Sequence, residues 1–230
     1  MSATIREAPP REMSSRNAEK RIFIPGAPWE LYEAFVDLLP ERSPVRASYD
    51  GKDLEIMVTG PLHDDFADLL DAFFKAVAGS LGIRFKPQGQ TTWKRPEIRK
   101  GIECDRCYYL DPAKLRAALA ARESASNDVS EYPNPDLAIE VDISRPQADR
   151  ISIYESMTLA EVWIFDGTKL SILKLGESGR YQESEASQFL PIKATQVPRW
   201  ILEEDLTDYE AWVQRIRSWA VSELKTTKQM

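Results

Sequence analysis

The chain has one histidine and two cysteines among 230 residues, and that scarcity removes several classes of chemistry. Two thiols, Cys104 and Cys107, cannot staple a small secreted scaffold and suit a reducing compartment. Their C-x-x-C spacing would need two more Cys or His ligands for a structural zinc site, and only His63 remains. On a continuous strand the odd spacing also places the two thiols on opposite faces. A nucleophilic triad needs a histidine base beside a serine or cysteine; His63 instead stands among acids at a helix start, beside Asp64 and Asp65. Glycine is sparse, and Gly82 and Gly89 fit neither a phosphate-binding loop nor a dinucleotide fingerprint. No apolar run reaches the roughly 18 residues of a membrane-crossing helix, so no membrane partner is expected. The opening stretch MSATIREAPPREMSSRNAEKR is polar, carries both signs of charge and lacks the apolar segment of a secretory signal. Residues 1–22 are therefore expected to be a disordered leader, and the protein cytoplasmic. Basic residues do not dominate: the net charge is −7, which argues against a surface that grips nucleic acid everywhere. A local basic strip remains, formed by Lys94, Arg95, Arg99 and Lys100, and it is either a phosphate-binding segment or a solvated loop.

Periodicity then places the elements. Residues 29–39 have helical spacing at Leu31, Phe35, Leu38 and Leu39. Residues 45–58 read as a hairpin around a two-residue Asp50-Gly51 turn. A long amphipathic helix spans 63–81, its stripe made by Phe66, Leu70, Phe73, Phe74 and Val77, and Gly82 ends it. Strands are expected at 84–93 and 105–110, a helix at 112–121 and a loop at 124–135. Residues 136–143 are almost continuously apolar, the pattern of a strand buried on both faces. A helix over 150–159, a hairpin over 161–175 around Asp166-Gly167, and a helix over 208–224 complete the chain. On that last helix Tyr209, Trp212, Ile216 and Trp219 share one side, which either packs on its own core or seats a second copy as a homodimer. The order predicts an α/β (α+β) domain: a mixed central sheet flanked by helices, with an N-terminal hairpin and a C-terminal helix. The domain is expected over 23–205, with a C-terminal helix and tail over 206–230.

Two acids interrupt the most apolar strand. Glu140 and Asp142 are two apart, so they share a face. Buried carboxylates are costly unless they are paired or bind a metal, so the choice lies between a divalent ion and salt bridges to flanking helices. Asp105, at the start of another strand, would join Glu140 as a pair of hard oxygen ligands. Magnesium is commonly held by one or two carboxylates together with waters and substrate phosphate. Removing Asp105 is expected to relieve carboxylate repulsion without unfolding the protein.

Several segments then resemble the Uma2 family of restriction-type endonucleases. Tyr49-Asp50-Gly51-Lys52-Asp53-Leu54-Glu55-Ile56-Met57, followed by Pro61 and His63, resembles that family's "DG-x-LEIM" hairpin. Gln90-Thr91-Thr92 and the run from Lys100-Gly101-Ile102-Glu103-Cys104-Asp105 to Tyr109 resemble "TT … KG-x-EPD-x-C-[YF]-Y". Pro135-Asp136-Leu137-Ala138-Ile139-Glu140-Val141-Asp142-Ile143-Ser144 resembles "PDL-x-IEVD-x-S", and Ile153-Tyr154 with Glu161-Val162-Trp163 resembles the "IY … PEVW" that follows. The motifs occur in order over residues 30–205. The resemblance implies a restriction-endonuclease-like core and a Mg²⁺- or Mn²⁺-dependent endonuclease acting on nucleic acid, with DNA the expected substrate. Its catalytic acids map to Asp105 and Glu140, with Asp142 or the carbonyl of Val141 as further ligands and Glu55 and His63 lining the site. The third position of the D/E-x-K triplet is Asp142, and the family lysine falls at Arg150, four residues before Tyr154. Arginine does not deprotonate in proteins, so Arg150 can hold a phosphate or position water but cannot act as a base. The alternative is a degenerate member that binds nucleic acid or a partner without cutting.

Overall fold

A computed structural model describes residues 19–40 and 43–225. Its elements in chain order are β1 (Lys20–Ile24), α1 (Trp29–Leu38), β2 (Val45–Tyr49), β3 (Leu54–Val58), α2 (Pro61–Ser80), β4 (Lys86–Pro87), β5 (Thr92–Arg95), β6 (Lys100–Glu103), β7 (Arg106–Tyr109), α3 (Pro112–Glu123), β8 (Leu137–Val141), α4 (Arg150–Ser156), β9 (Glu161–Phe165), β10 (Leu170–Leu175), β11 (Tyr181–Ser184), α5 (Pro198–Leu202) and α6 (Tyr209–Trp219), which continues as a π-helical turn over Ala220–Leu224. The fold is mixed α/β, but with two sheets rather than the single one expected. One is antiparallel in the order β1-β3-β2-β6-β5, and the other runs β11-β10-β9-β8-β7-β4 with β8 and β9 parallel. The chain crosses between them at Cys104-Asp105, in the two-residue gap between β6 and β7.

β8 is buried at every position, as its apolar run predicts. Leu137, Ile139 and Val141 pack with Phe66, Leu70, Phe73 and Phe74 of α2, while Ala138 faces Ile153, Tyr154 and Met157 around α4. Glu140 has the parity of Ala138, so the pleat delivers its carboxylate to the α4 side. Trp212 and Ile216 of α6 are fully buried in the α2 core, and the Trp212 indole donates to the Trp200 carbonyl at 2.9 Å. The aromatic stripe that suggested a homodimer is thus largely spent on the chain's own core.

Several local expectations are corrected. Both hairpin turns are four-residue connections, closed by Asp50 N–H to the Asp53 carbonyl and Asp166 N–H to the Lys169 carbonyl. The segment 84–93 does not form one strand: Gly89, at φ +72°, lies between β4 and β5, which belong to different sheets. The basic strip is mostly strand: Lys94, Arg95 and Lys100 lie on the β5–β6 ladder, and Arg99 lies in the turn between them. Within β6, Gly101 has a steric reason: a Cβ there would overlap the Tyr32 hydroxyl and ring. Cys104 and Cys107 share one buried cluster instead of opposite faces, because the strand breaks between them. The expected leader over 1–22 ends too late: residues 19–22 belong to the fold, with β1 pairing β3 from Lys20 onward. Residues 1–18 lie outside the described residues.

Candidate active site

Three strands and two helices converge at the carboxyl end of β8. Glu140 accepts from the Tyr154 hydroxyl on one oxygen and from the Arg150 guanidinium on the other. Arg150 also donates to Asp142 at 2.5 Å. Asp105, placed by the crossover, accepts the Val141 N–H at 2.9 Å on one oxygen and meets His63 Nε2 at 2.9 Å on the other. The salt-bridge alternative for Glu140 and Asp142 is therefore realised, and its cation is Arg150. Asp105, Glu140, Arg150 and His63 form one buried cluster, which also holds Glu55 through a second arginine.

That second arginine is Arg21. It donates to Glu55 at 2.5 Å, to Glu19 at 2.9 Å, to Asp142 at 3.2 Å and to the Ser144 hydroxyl at 2.8 Å. Glu55 in turn accepts the N–H groups of Gln147 and Ala148, just before α4. Glu19 meets His63 Nδ1 at 2.8 Å and accepts the N–H groups of Ile143 and Ser144, so it fixes both the imidazole and the exit of β8. Neither Glu19 nor Arg21 was legible as a site residue. The available signal was their i, i+2 spacing ahead of a short apolar run, which puts both on one strand face.

The electrostatics follow from burial working against pairing. Burial raises the Glu19 carboxyl, but bonds to His63 and Ser144 and the Arg21 charge outweigh it, and its pKa falls to about 2. Burial lowers His63, yet Asp105 and Glu19 on its two nitrogens raise it to about 9, so it is a cation at neutral pH. Burial also raises Asp105, but the His63 bond and charge and the Val141 N–H hold it below the usual carboxylate range. Glu140 goes the other way: burial pushes it well up, Arg150 pulls it down, and the neighbouring Asp105 and Asp142 push it up again.

The basic strip is mostly committed elsewhere. Arg95 is buried and donates to Asn134 and to the carbonyls of Val129 and Tyr132, so it is a structural residue and not a phosphate contact. Lys100 donates to the Ser152 carbonyl and hydroxyl and thereby holds α4. Lys94 pairs with Asp37 at 3.0 Å. Arg99 is exposed, at φ +47°.

The donor types are those that a hard divalent ion takes. Asp105 and Glu140 offer hard oxygens, and the Val141 carbonyl and Asp142 belong to the same strand exit. Among the described residues no three His, Cys, Asp or Glu side chains close on one point. An ion on Glu140 would compete with Arg150 and Tyr154 for its oxygens.

These features define a mixed α/β protein with a buried carboxylate–arginine site at a strand end. The chain belongs to the Uma2 family, whose model, described as "Putative restriction endonuclease", matches residues 29–208. Among solved structures it is similar to a "putative nuclease belonging to DUF820" from Anabaena variabilis ATCC 29413. The TM-score is 0.43 at 12% identity, covering 79% of this chain and 98% of that one. No curated protein matches. Among the described residues no helix is long and apolar enough to cross a membrane.

Proposed function

We propose that the chain is a Mg²⁺- or Mn²⁺-dependent endonuclease that hydrolyses phosphodiester bonds, with DNA as its substrate. The observation that carries this reading is Arg150, a cation held by Glu140 and Asp142 beside Asp105 where the family has its lysine. Asp105 and Glu140 would hold the ion, aided by the Val141 carbonyl or Asp142. When bound, the ion supplies acidified water and positive charge for the phosphate. The chain's own residues then do the positioning. Arg150 faces the phosphate oxygens, His63 keeps Asp105 ionised, and Glu55 and Glu19 fix the loop that joins β8 to α4. Hydrolysis adds the water oxygen to phosphorus, breaks the bond to the leaving oxygen, and sends one proton to that oxygen. Neither Arg150 nor a protonated His63 can take the proton from water, so that proton leaves through solvent or a carboxylate.

A second reading has a specific observation behind it. All four oxygens of Asp105 and Glu140 already have protein partners, which suits a member that binds nucleic acid or a partner without cleavage. Supercoiled plasmid incubated with protein and Mg²⁺ or Mn²⁺ separates the two. Conversion to nicked or linear forms that disappears in Asp105→Ala supports the endonuclease. No conversion with either metal supports the binding protein.

A further inference from the structure

One cavity beside the site is lined by three arginines that come from different elements. Arg21 of β1, Arg46 of β2 and Arg150 of α4 face the same space, with Glu55 and Glu103 on its wall. All three guanidiniums are nearly withdrawn from solvent. Arg21 and Arg150 spend their donors on Glu19, Glu55, Glu140 and Asp142. Arg46 does not. Its Nη1 donates to Glu103 at 2.7 Å and to the Ser43 carbonyl at 3.1 Å. Its Nε has no hydrogen-bond partner among the described residues, although Arg46 is only 5% exposed. Asp105 Oδ1 lies 3.7 Å from it, too far for a hydrogen bond.

A buried donor left unsatisfied is costly, and more so when it is charged. A fold that retains one beside its acids is holding a place for an acceptor. The cavity measures about 10 Å³, which is about one water-sized sphere, so it admits a single oxygen atom and not a whole phosphate. Arg46 Nε is the donor there left without an acceptor, and a guanidinium bonds most strongly to an oxygen that carries negative charge.

We infer that Arg46, framed by Arg21 and Arg150, forms a hole for one non-bridging oxygen of a bound phosphodiester. This rests on the nuclease reading and adds to it two cations that the acid pair and Arg150 do not include. Arg46 would touch the substrate, while Arg21 would supply field and hold the acids apart.

The test uses the full chain and Arg46→Lys, which keeps a charge beside Glu103 but has no Nε. Cleavage is measured on a duplex with a single cut site, as the phosphate and as each phosphorothioate diastereomer. Sulfur is larger than oxygen, so the parent should cut one diastereomer much more slowly than the other. Arg46→Lys should lower kcat about 100-fold, the scale of losing one preorganised donor, with little change in KM, and the diastereomer ratio should collapse. A variant with parental kcat, or an unchanged diastereomer ratio, overturns the proposal and leaves the cavity to a water. If the parent cuts nothing, the endonuclease reading fails by itself. The hole is then read from duplex binding in EDTA. A loss of about 10-fold or more in Arg46→Lys keeps it, and equal affinity sinks it.

Discussion

Replacing Arg150 by alanine separates structure from chemistry. The side chain is 8% exposed, and its partners Glu140 and Asp142 are 3% and 12% exposed, so solvent screens neither pair. Removing one partner of a buried pair typically costs about 3–5 kcal/mol, because the other charge is left unpaired. In a chain of this size 1 kcal/mol moves Tm by about 2–4 °C, so Arg150→Ala should melt on the order of 10 °C lower. Glu140 offers partial relief. Burial already pushes its carboxyl up, and without Arg150 it goes higher and takes a proton. The deficit should therefore narrow as pH falls. Cleavage should drop on the order of 100-fold at a temperature where both proteins are folded. Arg150→Lys restores the family residue and should cut at least as fast as the parent, but a single ammonium cannot span two carboxylates as a guanidinium does, so it should recover only part of the stability. Plasmid conversion and thermal melts read both arms. An active parent whose Arg150→Ala variant keeps its rate would remove Arg150 from the site. A variant that loses rate only in step with folding would make it purely structural.

Asp105→Asn should abolish cleavage and metal response while keeping an acceptor for the Val141 N–H. Asp105→Ala should instead melt lower than the parent, because a buried N–H and a protonated His63 lose their partner; that loss outweighs the relief of repulsion with Glu140 expected from sequence, and an Ala variant as stable as the parent would refute this. His63 is raised from 6.5 to about 9, so its contribution is fully present below about pH 6.5 and is lost as pH rises through 9. Glu19 is lowered from 4.5 to about 2, so its contribution is present above about pH 4.5 and is lost as pH falls toward 2. Urea midpoints in His63→Asn should lose the alkaline decline, and a parental slope there would contradict it. Neutralising Lys94 and Arg99 should flatten the salt dependence of DNA binding by about 0.9 for each phosphate those side chains neutralise, whereas Arg95→Gln should leave that slope alone and lower Tm. Mg²⁺ or Mn²⁺ at 100 times its Kd should add about 2.7 kcal/mol to the folded state, a Tm rise that Asp105→Asn should not show.

The fold was legible wherever one element carried its own signal. The α2 stripe, the apolar β8 run and the α6 periodicity each declare a face, and each lies where that pattern puts it. What could not be read is pairing that depends on distant partners. β4 has two residues and β1 five, and β1 gains its place only by laddering with β3. The sequence reading starts a strand at Asp105 and assigns none to residues 100–103, so the break at Cys104-Asp105 between β6 and β7 was not expected. That one break turned one expected sheet into two and brought both cysteines into the same core.

The site was half legible for the same reason. Asp105 and Glu140 announce themselves as charges in or beside apolar elements, where a charge demands a partner, and Arg150 was reached only as the position of the family lysine. Glu55 and His63 came from the family motifs. Glu19 and Arg21 lie before the matched segment, within what reads as a polar leader, where charge is ordinary and demands nothing. Their role exists only because β1 runs along β3 and carries Glu19 and Arg21 to residues more than 100 positions away. A charged residue is informative in proportion to how unusual its surroundings make it. An arginine in a polar stretch therefore stays silent until the fold buries it against Asp142 and Glu55, where each acid requires a cation and β1 supplies one.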